Sequence, residues 1–165
     1  KIFHAFYFSG FATRLDSYLD RYGDQIDSTL LDAIEKGRHL SAMDLQRAIY
    51  DRSRLFQQVQ LFFKQYEFLI TPTLSTPALA VDHNALAPIK VDGMIAGSMR
   101  EAWYPYTHPF NLAGNPAISI PCGWTQENLP IGLQIVGPWF SDMSILNLAA
   151  FFETIQPWAD NRPPV

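Results

Sequence analysis

The stretch Asn111-Leu-Ala-Gly-Asn-Pro-Ala-Ile-Ser-Ile-Pro-Cys-Gly123, followed after a polar break by Leu129-Pro-Ile-Gly-Leu-Gln-Ile-Val-Gly137, decides the fold. Ala117-Ile-Ser-Ile120 is apolar and bracketed by Pro116 and Pro121, so it reads as a short strand that Pro121 closes. Ile131-Gly-Leu-Gln-Ile-Val136 reads as another. Nine residues separate Cys122 from Gly132, and Gln126-Glu-Asn supplies a polar loop, so the two strands pair as a hairpin. Gln134 stands inside the apolar run, where its amide is expected to satisfy buried backbone groups rather than do chemistry. Upstream, Phe68-Leu-Ile-Thr71 stopped by Pro72 reads as a third buried strand. Downstream, Ser141 or Asp142 caps a helix bearing Ile145, Leu148, Ala149, Phe152 and Ile155, which Pro157 ends. Strands and helices together define an α/β fold, here part of a mixed β-sheet flanked by helices.

Working outward, residues 1–66 read as mainly helical, and residues 67–165 as strands, a loop and a terminal helix. Asp24 is expected to cap a segment with Ile26, Leu30, Leu31, Ala33 and Ile34 that Gly37 ends. Ser41-Ala-Met-Asp44 is a capping-box signal. From there Leu45, Ala48, Ile49, Phe56, Val59 and Phe63 recur at helical spacing, predicting an amphipathic helix of about 24 residues. Arg52 falls on that apolar stripe. Either its stem packs while the guanidinium reaches water, or it is buried against a carboxylate or ligand. Residues 72–93, with Pro72, Pro77 and Pro88, read as a long loop. In the aromatic segment 97–113, Pro105 and Pro109 forbid a continuous helix; a short helix ending near Trp103, then a turn, is predicted. Asn161 to Val165 reads as a tail.

Composition bounds the function. The chain has 165 residues, 48% hydrophobic and 14% aromatic, against only 17% charged, which excludes intrinsic disorder. A compact chain of this size leaves roughly 8,300 Å² accessible out of roughly 27,000 Å² when open, so a real core is available. Net charge is −4, and the basic residues are scattered, with Arg52 and Arg54 the one close pair in the middle; a nucleic-acid partner is not expected. No apolar run approaches the ~18 residues of a membrane span. The single cysteine, Cys122, excludes an internal disulfide framework and a CxxC site, and a cytoplasmic location is expected. Lys1 in place of an initiator Met, with no signal-peptide pattern after it, reads as a start inside a longer protein.

Self-contained catalytic motifs are missing from the sequence. None of the nine glycines is adjacent to another, and GxGxxG, GK[ST] and GxSxG do not occur. The four histidines lack metal-ligand spacing, so no metal is expected; His108 reads as a packed or capping residue and Cys122 as a buried inert thiol.

The motif strands named above, with Leu40-Ser-Ala-x-Asp, Arg52, Phe63 and Tyr66-Glu-Phe-Leu-Ile-Thr-Pro-Thr73, resemble the carboxy-terminal part of the amidase signature family from about residue 40 to residue 160. Trp158 and Pro163-Pro164 look like that family's natural end. The resemblance makes most of the motif scaffold, with Gly114, Gly123 and Gly132 where backbone turns or approaches closely. It implies hydrolysis of carbon–nitrogen bonds by a Ser–cis-Ser–Lys triad, the oxyanion held on a Gly-Gly-Ser-Ser-x-Gly loop. This sequence contains no Gly-Gly and no Ser-Ser, so none of its ten serines is assigned as nucleophile and no catalytic residue is named. The chain alone is therefore expected to be inactive, its nucleophile supplied by a missing amino-terminal portion of the same protein.

What the resemblance leaves to this chain is scaffold and part of the substrate pocket, with Arg52, Trp103, Tyr104, Thr107 and Phe110 as binding candidates for a small-molecule amide. In the glutamine-using amidotransferase branch an acid seven residues before the motif Asn grips the substrate's α-amino group; Tyr104 stands there, which favours a more apolar amide. Whether the aromatic cluster lines a pocket or packs a core stays open. The resemblance requires no cofactor and leaves room for a homodimer. Two alternatives remain: a fragment of a glutamine-dependent tRNA amidotransferase A-type subunit, or a non-catalytic interaction module on the same scaffold.

Overall fold

The structure is a computed structural model and describes residues 1–161; the last four residues, with Pro163-Pro164, lie outside the described part. Two compact units are present, Lys1–Gln58 and the residues from Val59 onward.

The first unit is helical. Helix α1 (Ile2–Leu15) is followed by a 3₁₀ turn, the short α2 (Leu19–Tyr22), a second 3₁₀ turn (Gly23–Gln25), α3 (Ser28–Arg38) and α4 (Ala42–Phe62). Asp24 lies in that second turn; the cap of α3 is Asp27, whose carboxylate accepts from the Thr29 amide at 2.8 Å. Gly37 does not end α3. The helix ends at His39 in ordinary right-handed backbone, so no left-handed glycine is required. Gly37 instead sits buried where α3 crosses α1: a Cβ there would overlap the Phe8 carbonyl oxygen and lie 2.6 Å from the Ala12 Cβ. The glycine is what lets the two helices close together.

Ser41 and Asp44 form the expected reciprocal cap. The Asp44 amide donates to Ser41 Oγ at 3.1 Å, and the Ser41 amide and hydroxyl donate to Asp44 Oδ2 at 3.1 and 2.6 Å. Helix α4 has 21 residues rather than about 24, because its end tightens through bonds from the Lys64 amide to Leu61 and the Gln65 amide to Phe62. Arg52 is exposed, its guanidinium carbon 5.6 Å from the Phe6 ring centroid, so the stem lies along apolar surface and the head reaches solvent.

In the second unit, β1 (Leu69–Pro72), β4 (Ala117–Trp124) and β5 (Pro130–Val136) form an antiparallel sheet in the order β1-β5-β4. The β4–β5 hairpin is as predicted, with one correction. Pro121 does not close β4; the strand continues to Trp124 through a bulge at Cys122, with Pro121 opposite Gly132 and Gly123 opposite Ile131. An edge strand tolerates the missing amide of proline, and the bulge absorbs its misfit. Gly123 has open space around it and no positive φ, so neither a turn nor a close approach requires glycine there. The region 72–93 is not all loop: β2 (Ile89–Val91) and β3 (Met94–Gly97) form a hairpin turning at Asp92-Gly93, with φ of 50° and 78°. Two consecutive left-handed residues define the tight hairpin turn for which Asp-Gly is suited.

Helices α5 (Met99–Ala102) and α6 (His108–Ala113) follow, with Pro109 in the first turn of α6 and Gly114, φ 73°, as its left-handed cap. Helix α7 (Asp142–Ile155) closes the described unit. Its Ile145 and Ala149 pack on Ile120 and Ile135, joined by Ile118, Leu133, Leu148, Phe152 and Trp158. Ser141 does not cap α7 with its side chain; its hydroxyl donates to the Pro138 carbonyl at 2.7 Å.

Gly37→Ala is expected to destabilise the protein by about 2 kcal/mol, because the backbone oxygen of Phe8 cannot swing aside. Gly10→Ala, in α1 with nothing within 4 Å, is expected to stabilise by roughly 0.5–1 kcal/mol. Urea titrations of both variants check the opposite signs. The Ser41 bonds hold the Asp44 carboxyl below its ordinary value of 3.8. The cap's contribution is therefore fully present above that value and is lost as pH falls through the lower folded value. Asp44→Asn should flatten this acid limb in a pH series of thermal melts.

Candidate functional site

The strand register sorts the sheet into two faces. Ile70, Ile135 and Ile118 stand in one row and Pro72, Leu133 and Ile120 in the next but one, on the face that carries α7. Between them, on the opposite face, runs the row Thr71, Gln134, Ser119. This second face is polar. Thr73 and Ser119 hydrogen-bond hydroxyl to hydroxyl at 2.7 Å, and the pair sits over Gly132, where a Cβ would lie 2.8 Å from Thr73 Oγ1 and 2.9 Å from Ser119 Oγ. Gly132 is therefore a close-approach glycine, as expected.

Gln134 is 4% exposed and lies on the central strand. Its Nε2 donates to Thr71 Oγ1 at 2.9 Å and to the Tyr106 carbonyl at 3.1 Å. The expected structural role holds, and it has a direction: the amide reaches off the sheet to the aromatic segment. That segment, between α5 and α6, has a second fastening. The Ser75 amide donates to the Trp103 carbonyl at 2.8 Å, and the Ser75 hydroxyl bonds the Ala102 and Trp103 carbonyls. The Trp103 indole donates to the Pro77 carbonyl at 3.3 Å.

Trp103, Tyr104 and Thr107 are brought together on one turn. The Trp103 and Tyr104 ring centroids are 6.1 Å apart, and Thr107 Oγ1 donates to the Tyr104 carbonyl at 3.0 Å. His108 meets the Tyr104 ring edge-on at 5.3 Å, which fits the expected packed histidine. Phe110 is buried in α6, while Trp103, Tyr104 and Thr107 are half-buried. Arg52 belongs to the first unit. Cys122 is half-buried at the bulge, with its thiol 3.4 Å from the Ile131 carbonyl.

Thr71, Thr73 and Ser119 escaped the sequence reading. The available signal was the period-two spacing of Thr71 and Thr73, which becomes a shared face with Ser119 and Gln134 only once the register is known. Among the described residues no cluster of three or more His, Cys, Asp or Glu is placed to hold a metal ion, and no helix is long and apolar enough to cross a membrane.

Comparison with known proteins places this geometry. The family model described as Amidase matches residues 8–146, and the chain belongs to the amidase family. It is 32% identical over 158 residues to an acylamidase of Rhodococcus erythropolis, covering 93% of this chain and 32% of that protein. It is also 32% identical over 157 residues to the A subunit of the glutamyl-tRNA(Gln) amidotransferase of Halalkalibacterium halodurans, covering 90% of this chain and 30% of the relative. Among solved structures, an amidase superposes with a TM-score of 0.83 at 22% identity, covering 93% of this chain and 34% of that one. A 6-aminohexanoate cyclic dimer hydrolase gives 0.79 at 22%, covering 99% and 36%. The chain spans about a third of the length of these relatives.

Gly132→Ala is expected to break the Thr73–Ser119 hydroxyl pair and cost about 1–2 kcal/mol. Gly123→Ala, with nothing within 4 Å, should stay within about 0.5 kcal/mol of wild type. Denaturant midpoints of the two variants provide the comparison.

Proposed function

We propose that this chain is the supporting wall of an amidase that hydrolyses carbon–nitrogen amide bonds, contributing scaffold and part of the substrate pocket while the nucleophile comes from an amino-terminal portion of the same polypeptide. The observation that carries the reading is the aromatic turn Trp103–Thr107, fastened by backbone carbonyls to Gln134 and Ser75. A turn held by its backbone leaves its side chains available to a ligand, and half-buried aromatic rings with a hydroxyl beside them suit the acyl or aryl part of a small amide. Trp103, Tyr104 and Thr107 are the contact residues on this reading, with Phe110 their buried neighbour in sequence. Arg52, in the first unit, is a separate candidate for a polar end of the substrate.

Two further features support a wall rather than a free-standing domain. Helix α7 is apolar on its outer side as well as its inner one: Met143, Leu146, Phe151 and Ile155 are exposed opposite the buried Ile145 and Ala149. A helix apolar all round suits burial on both sides. Beside it Phe140 is 92% exposed and adopts φ 63°, a backbone region that bulky residues rarely enter. Both features suit a surface covered by more protein. The chain is correspondingly expected to need the rest of its polypeptide, to require no cofactor and to work in the cytoplasm.

The likeness to amidotransferase A subunits, reaching 37% identity over 101 residues with one from Thermodesulfovibrio yellowstonii, favours a second reading as part of a glutamine-using enzyme of that type. Tyr104 weighs against it, since a phenol does not pair with an α-ammonium group as a carboxylate does. The first reading is tested with a serine-directed fluorophosphonate. In the full-length protein the label should fall on a serine outside this chain, with loss of amide hydrolysis. The isolated 165-residue chain should take up no label. Labelling of any of its own serines would overturn the proposal.

A further inference from the structure

We infer that Gln134 is a positioning residue that sets which amides the pocket accepts, by fixing the height and tilt of the Trp103–Thr107 turn above the polar face of the sheet. The inference rests on the pocket reading just given. It starts from a feature that core packing leaves unexplained. Gln134 is the one polar residue that is buried among the described residues, and it occupies the central strand, where an aliphatic side chain would cost nothing to desolvate. The α7 face of the same strand shows the alternative, with Ile135 at the neighbouring position.

A purely structural glutamine would satisfy groups within its own sheet. Half of what Gln134 does is of that kind, the bond to Thr71 Oγ1 on the adjacent strand. The other half leaves the sheet for the Tyr106 carbonyl, 28 residues earlier in the chain. Pro105 prevents the segment from continuing α5 as a helix, so its position is not dictated by helical geometry. Instead it is fixed by what its carbonyls accept. Ser75 holds those of Ala102 and Trp103 at the start of the turn, and Gln134 holds that of Tyr106 near its end. With Ser75 alone the turn keeps one fixed end; with Gln134 it has two. Tyr104 and Thr107 lie on either side of the second fastening, and the Thr107 hydroxyl is itself tied back to the Tyr104 carbonyl. Loss of the Gln134 donor therefore frees the part of the turn that carries the candidate contacts, and leaves the reacting groups elsewhere in the polypeptide untouched.

The test uses the full-length protein, with Gln134→Met, which keeps the length of the side chain and removes the donor, and Thr71→Val, which removes only the strand partner. Hydrogen–deuterium exchange of the peptide covering residues 103–107 and hydrolysis of two probes, 4-nitroacetanilide and acetamide, are measured together. In Gln134→Met the peptide should exchange faster and KM for the anilide should rise by roughly tenfold, as expected for one lost hydrogen bond, with kcat and acetamide turnover within about twofold. Thr71→Val should leave both the exchange and the anilide-to-acetamide ratio unchanged. Unchanged exchange at 103–107 in Gln134→Met, or a parallel fall for both probes, would assign Gln134 to the core alone and overturn the inference. If wild type hydrolyses neither probe, it is the pocket reading and the selectivity built on it that fall, while the exchange data still decide whether Gln134 anchors the turn.

Discussion

The register of β5 between β1 and β4 is the constraint on which the second unit depends. One strand supplies both faces: Ile135 and Leu133 to the core with α7, Gln134 and Gly132 to the polar side. Because side chains alternate, a slip of one residue would place Gln134 among Ile120, Ile145 and Ala149 and turn Ile135 toward the hydroxyl pair. Either change is costly, the first because a buried amide would lose its partners. The hairpin is pinned at both ends. At the open end the Gly137 amide donates to Pro116 and Asn115 Nδ2 donates to the Gly137 carbonyl. At the turn, the Thr125 amide bonds Leu129, and Asn128 accepts a left-handed conformation.

Glycine appears in this chain in two unrelated capacities, and the difference explains much of what sequence reading recovered and missed. Gly93 and Gly114 are glycines of conformation, each at positive φ where the chain must turn. Gly37 and Gly132 are glycines of contact, with ordinary backbone and no room for a methyl group. A glycine near the end of a helical run looks the same in either capacity, which is why Gly37 reads as a stop when it is a crossing point. Asp92-Gly93 carried its own hairpin signal, masked by the three prolines of the surrounding stretch. By contrast the capping box at Ser41-Asp44, the β4–β5 hairpin and the α7 core face were legible, because each is a local pattern whose partner lies within a few residues or follows a fixed period.

The candidate site was legible only in part for the same reason. Gln134 could be singled out as a polar residue in an apolar strand, and the aromatic segment by its composition. Nothing local connects them: the bond from Gln134 to Tyr106 spans 28 residues, and that between Thr73 and Ser119 spans 46. Strand order and register create those juxtapositions.

A turn fastened through its carbonyls also has a consequence for how this scaffold can serve different substrates. Every peptide unit offers the same acceptor, so the side chains at 103, 104, 106 and 107 can change without touching the bonds from Ser75 and Gln134. Binding character is then separated from placement. A carboxylate at position 104 would make the turn a grip for an ammonium group; the tyrosine found there makes it a partly apolar surface with a hydroxyl at its rim. On the proposed reading, the rigid polar face of the sheet supplies position and the turn supplies selectivity. The two functions meet at one buried amide, which is why a polar residue stands at a place where isoleucine would otherwise pack.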